Sequence, residues 1–169
     1  LLAFLAVGLA STLLVLPSVS AVENSGVGGK PAFPRENNTR STSIFVHELK
    51  PGESVRDGVE VINNTDQPKT VEVYPTDSLV ASGGAFSCEQ KADTLDYEGK
   101  WITLDKSAVE LKPNGSEVVG FTITVPENAT VGEHNACIAF SAVEAPKESS
   151  VNGVQLSFRS AIRVAITIP

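Results

Sequence analysis

The sequence predicts an all-β chain, an immunoglobulin-like β-sandwich of about seven to nine antiparallel strands. Three observations carry that reading. Short runs alternate apolar and polar residues, the period of a half-buried strand. Turn chemistry separates the runs at intervals of about 8 to 12 residues. No stretch of useful length keeps a helical period, while Val, Thr and Ile are common and Met is absent.

The elements follow in order after an unusual opening. Leu1 to Leu16 is uncharged and apolar apart from Gly8, Ser11 and Thr12. Pro17 and Ser18 break the run, and Val19-Ser20-Ala21 offers a small-residue cleavage site. Residues 1–21 therefore read as a secretory signal peptide cut after Ala21. An uncleaved anchor is the alternative, although the run is at the short end of the roughly 17 to 25 residues a spanning helix needs. Removing it leaves about 148 of the 169 residues, a one-domain length. Residues 22–40 hold Gly26, Gly28, Gly29, Pro31 and Pro34 without apolar periodicity, and read as a flexible N-terminal arm.

The sandwich is expected over 41–169. Ser43 to His47 is the first strand, closed by the turn Lys50-Pro51-Gly52-Glu53. In Val55 to Ile62, Val59 and Val61 share a face opposite Glu60; Asn63 to Asp66 turns the chain. In Lys69 to Thr76, Val71 and Val73 alternate with Glu72 and Tyr74. Leu79 to Gly99 is irregular and reads as a long excursion. Trp101 to Leu104 and Ala108 to Leu111 are short strands, followed by the turn Lys112-Pro113-Asn114-Gly115. Glu117 to Val125 points Phe121, Ile123 and Val125 inward. Asn135 to Val143 is apolar on both faces, as a central strand should be. Val154 to Ile168 closes the domain, with an interruption expected near Ser160. The two turns echo one another, Leu49-Lys50-Pro51-Gly52 against Leu111-Lys112-Pro113-Asn114, which suggests two similar hairpins within one sandwich.

Charge and cysteines narrow the function. A net charge of −7 argues against nucleic acid, whose phosphates need clustered Lys and Arg. Cys88 and Cys137 are the only cysteines, and in an exported chain an even pair reads as one disulfide, here tying down the excursion. Buried thiols or an intermolecular bridge are the alternatives.

No enzyme motif is present: no G-x-S-x-G elbow, no P-loop, no H-E-x-x-H. The residues point to no enzyme, no cofactor and no metal site. His47 and His134 lack carboxylate or Cys partners at ligand spacing, so a structural or solvent-facing role is expected of both. Glu89, Asp93, Asp96 and Glu98 have no EF-hand spacing and read as a solvated acidic loop in preference to a Ca²⁺ site. Asn37, Asn63, Asn114 and Asn128 each begin an N-x-S/T sequon on an expected turn, and are candidate glycosylation sites in a glycosylating host. The alternative is that Asn and Thr simply make good turns. Trp101, the single Trp, is a candidate ligand-stacking platform, against packing over the core or the disulfide.

Four stretches carry a resemblance. They are Trp101-Ile102-Thr103-Leu104; Val109 to Ser116; Val119 to Pro126; and Ala129-Thr130-Val131-Gly132-Glu133. Together they resemble prokaryotic cell-surface Ig-like domains. Lys50-Pro51-Gly52-Glu53 and Val59 to Thr65 match the first half of such domains, and Ser160 to Pro169 resembles their last strand. The nearest likeness, over about residues 41–169, is to the peptidoglycan-binding Ig-like domain of WxL-interacting proteins; NEW3-type domains appended to glycosidases are similar. The resemblance implies an extracytoplasmic binding or scaffolding module whose partner is a cell-wall polymer or another surface protein. It would meet a membrane only through an anchor beyond these residues. Two other functions remain open: a structural subunit of a pilus or surface layer, with residues 22–40 as a donor arm, and an accessory domain of a larger exported enzyme.

Overall fold

Alternating side chains give a strand one apolar face, and a sheet of such strands is stable only when that face is covered. Here two sheets cover one another. The computed structural model describes residues 26–80, 83–143 and 158–169. Its strands are β1 (Val27–Pro31), β2 (Phe45–Glu48), β3 (Ser54–Asn63), β4 (Lys69–Val80), β5 (Phe86–Cys88), β6 (Ile102–Leu104), β7 (Ala108–Leu111), β8 (Ser116–Thr124), β9 (Gly132–Ala142) and β10 (Arg159–Ile168). The smaller sheet has the order β1-β3-β8-β6. The larger runs β2-β10-β9-β4, with β5 and β7 pairing to β4.

The core lies between them. Val59 and Val61 of β3 and Val119, Phe121 and Ile123 of β8 come from one side. Val71 and Val73 of β4, Ile138 and Phe140 of β9, and Val164 and Ile166 of β10 come from the other. All of these are at most 1% exposed, so each contributes roughly 1.5–3 kcal/mol relative to exposure. Phe45 meets Phe121 edge-on across the gap, with ring centroids 4.9 Å apart. β9 is buried from Ala136 through Phe140 without alternation, as its sequence led one to expect.

Several expectations change. The described residues hold ten strands, more than seven to nine. Not every pair is antiparallel, because β2 runs parallel to β10. The chain can do this because β1 lies in one sheet and β2 in the other, so the connection crosses the sandwich end. Part of the expected flexible arm, 22–40, is a strand: Val27–Pro31 pairs with Val59–Asn63 of β3. Gly29 has a packing reason, since a Cβ there would lie 2.6 Å from the Phe140 ring. Residues already paired within their own chain are not a free donor arm, which removes the support for strand exchange. The expected signal peptide, 1–21, and residues 154–157 of the expected last strand lie outside the described residues. The interruption expected near Ser160 is absent among the described residues, because Ser160 pairs with Phe140 within a continuous ladder.

The two echoing turns are arches between sheets and not hairpins within one. Lys50 to Glu53 carries the chain from β2 to β3, and Lys112 to Gly115 carries it from β7 to β8. Gly52 (φ 79°) and Asn114 (φ 51°) take the left-handed conformation that each arch requires. β3 and β8 then pair antiparallel, Ser54 opposite Thr124 and Ile62 opposite Ser116, and β4 pairs with β9. The repeated motif thus marks an approximate internal twofold: an edge segment that changes sheets, an arch, then two central strands.

Candidate functional site: a groove on the outer face of the larger sheet

The excursion between β4 and β6 creates the site. β4 is long enough to continue past the sheet, and β5 folds back on it with Ser78 opposite Cys88. Cys137 of β9 lies opposite Thr76 of β4. The Cys88–Cys137 disulfide joins β5 to β9 beside this stretch of β4, with a Cα–Cα distance of 6.0 Å, and Thr76 there is fully buried. The intramolecular bond expected from the sequence is present.

Other contacts fasten the excursion. The buried Asp77 carboxylate accepts three backbone N–H groups: Gly99 at 2.7 Å, Asp96 at 2.8 Å and Tyr97 at 3.1 Å. A Cβ on Gly99 would lie 2.7 Å from that carboxylate, so only glycine lets the backbone approach this closely. Arg159, at the start of β10, donates to the carbonyls of Glu89 (2.6 Å) and Cys88 (2.7 Å). At the far end His134 Nδ1 lies 2.8 Å from Glu98 Oε1, and its ring sits 5.0 Å from that of Trp101. Partial burial disfavours the charged imidazole, but the bonds to Glu98 and to the Thr130 carbonyl outweigh it, and the His134 pKa is raised.

Between this tethered segment and the sheet runs a groove of about 530 Å³, within the size range of small-ligand sites. Glu72 and Tyr74 of β4 line it with Ser141 and Ala142 of β9, Phe158 and Arg159 at the start of β10, and Gln90 and Lys91 of the excursion. The Tyr74 hydroxyl lies 2.9 Å from Ser141 Oγ. Lys91 Nζ is 2.8 Å from Glu72 Oε2 and 5.1 Å from the centre of the Tyr74 ring. Phe158 is 38% exposed, enough to offer ring surface to a ligand. The groove thus combines aromatic faces, a hydroxyl pair, an amide and charges of both signs. That set suits a polar polymer carrying short apolar groups.

The residues singled out in the sequence are elsewhere. Trp101 is only 9% exposed and packs on His134, so it is not a stacking platform. Asn63 is fully buried, and its side-chain amide donates to the carbonyls of Gln67 (2.8 Å) and Lys112 (3.0 Å). It is a turn clamp and not an accessible glycan acceptor. Asn37, Asn114 and Asn128 are exposed. Both histidines have carboxylate partners in space that sequence spacing concealed: Glu98 for His134, and Asp57 Oδ2 at 3.0 Å from His47 Nε2. His47 is 3% exposed and also contacts Arg35, which makes it a link between β2 and β3. Among the described residues no three His, Cys, Asp or Glu side chains gather as a metal site. Sequence reading missed the groove because its lining comes from four separate segments. The one local signal was the outward phase of Glu72 and Tyr74 on β4.

Comparison with known proteins bears on fold and family. Among solved structures, the YadV chaperone aligns with a TM-score of 0.50 at 12% identity, over 85% of this chain and 52% of that one. A chain of the Salmonella enterica SafA pilin–SafB chaperone complex gives 0.52 at 13%, over 88% and 57%. A family 123 glycoside hydrolase from Clostridium perfringens gives 0.52 at 12%, over 85% and 27%. The chain spans about half of the chaperone-type structures and about a quarter of the hydrolase, and these likenesses speak for fold alone. No curated protein matches the sequence. A family pattern does match, over residues 30–142, the stretch that runs from the end of β1 to the end of β9 and carries most of the groove. The chain belongs to the WxL-interacting protein family, through that family's peptidoglycan-binding domain.

Proposed function

We propose that the chain is an exported cell-surface module that holds peptidoglycan in the groove beside β4. Export through residues 1–21 suits a domain whose excursion depends on a disulfide, a bond that persists in oxidising compartments. The observation that carries the reading is the groove itself. It is concave, aromatic and polar, and its walls are fixed by covalent and hydrogen-bonded ties. Ring faces at Tyr74 and Phe158 would pack on apolar parts of the polymer. Ser141, Gln90 and the charged groups would fix its orientation.

Binding fits this lining better than hydrolysis does. Glycosidases generally place two carboxyl groups about the scissile bond. Here Glu72 is the one carboxylate among the lining residues, and it is paired with Lys91.

Cosedimentation with purified sacculi tests the proposal. The unaltered protein should pellet with sacculi, and Tyr74→Ala or Phe158→Ala should lower the bound fraction several-fold. Phe33 provides the control, because it lies over Gly58 on the opposite face and is 64% exposed. If Phe33→Ala abolishes retention while Tyr74→Ala leaves it intact, the groove is the wrong site. If the unaltered protein does not pellet, the function is wrong.

A further inference from the structure

We infer that the groove recognises the free carboxylate of the peptide part of the polymer and not its sugar chain. The inference rests on the reading of the groove as the peptidoglycan site and goes one step further, to the ligand's chemistry.

The charge balance is the first argument. The chain has a net charge of −7, yet the groove lining holds Lys91 and Arg159 against Glu72 alone. A local excess of positive charge on an acidic protein favours an anionic group.

Arg159 gives the second. Its bonds to the Glu89 and Cys88 carbonyls use two of five N–H donors and hold the guanidinium in place. These partners are neutral, so its charge is not cancelled by them. A planar donor set already held in position is well suited to a carboxylate.

Lys91 gives the third. It is tied to Glu72, but the two side chains are 55% and 40% exposed, and an ion pair that open is weak. A ligand carboxylate can draw Lys91 away from Glu72 at little cost, and Glu72 is then free to accept an amine or amide N–H. Tyr74 and Phe158 supply apolar surface for methyl-sized side chains. N-acetylated sugar units in a chain are uncharged and would leave both cations unused.

Three soluble probes separate the alternatives: diacetyl-lysyl-D-alanyl-D-alanine, the same peptide as its C-terminal amide, and chitotetraose. Binding is read by NMR shifts of the intact protein and by calorimetry, with sacculi cosedimentation run in parallel. The free acid should shift Lys91, Gln90 and Ser141, and the amide should bind at least tenfold more weakly. Lys91→Gln, at an exposed position, should lose about the same factor for the acid, so that acid and amide then bind the variant with similar affinity. Chitotetraose should neither shift these signals nor displace the acid. Equal binding of acid and amide, or chitotetraose in the groove with the peptide excluded, overturns the inference while retention on sacculi leaves the wider function standing. Loss of retention on sacculi overturns both.

Discussion

Replacing Asn63 with alanine should destabilise the fold by about 3 kcal/mol, although the residue sits on a turn that resembles three others in the chain. The side chain is fully buried and makes four hydrogen bonds. Its Nδ2 donates to the Gln67 and Lys112 carbonyls, and its Oδ1 accepts from Thr65 N (3.0 Å) and Thr65 Oγ1 (2.7 Å). At about 1 kcal/mol net per bond the loss would be about 4 kcal/mol. Part of that is recovered. Once Asn63 Oδ1 is gone the single Thr65 hydroxyl proton can go to the Gln67 carbonyl, 3.0 Å away, and the Lys112 carbonyl keeps Gly115 N at 3.0 Å. The Thr65 N–H is left behind. Asn63→Asp is the sharper variant, because it preserves shape while turning a donor into a second acceptor facing two carbonyls. Burial and those carbonyls should raise the pKa of the new carboxyl. A raised folded-state pKa means the variant is least destabilised at low pH, where the acid can donate, and loses stability as pH rises through that pKa. Urea denaturation followed by circular dichroism at pH 4.5 and pH 7.5 measures both effects. A loss under about 1 kcal/mol for Asn63→Ala, or an Asn63→Asp variant whose deficit does not change with pH, would refute the clamp.

Three further outcomes are expected. Removing the disulfide in the Cys88→Ala/Cys137→Ala double variant opens a loop with a sequence separation of 49, and chain entropy puts the loss at about 4 kcal/mol in urea denaturation; hydrogen exchange should also quicken around Glu89 to Lys91. Gly29→Ala forces a methyl to within 2.6 Å of the Phe140 ring, which should cost about 1–3 kcal/mol as overpacking, and a melting temperature equal to that of the unaltered protein would show that β1 is not pressed on the core. The raised His134 pKa means that its bond to Glu98 contributes fully below about pH 6.5 and is lost as pH rises through the folded-state pKa; the melting temperature should fall across that interval, and His134→Gln should remove the dependence.

The strands and turns were legible because their signals are local. Alternation in Val59-Glu60-Val61 and Phe121-Thr122-Ile123 states which side chains must be covered, whatever covers them. Pro51-Gly52 and Pro113-Asn114 state where the backbone must turn, since few residues tolerate positive φ. Their repetition was visible too, although the sequence could not say that each turn crosses between sheets. Gly29 of β1 read as looseness because the reason for it, the Phe140 ring, lies about 110 residues away along the chain.

What the sequence by itself determined is therefore the all-β class, the approximate strand positions, the cysteine pair and the family pattern. Only the tertiary structure decided the accessibility of each candidate. Asn63 and Asn114 carry the same kind of sequon, yet one is sealed under two carbonyls and the other faces solvent. Trp101 is covered by His134, and the groove forms where β4, β9, β10 and the tethered excursion meet. The physical reason is one of range. Backbone conformation is set by neighbours within a few residues, whereas burial and the shape of a cleft depend on segments that meet only after the chain has folded.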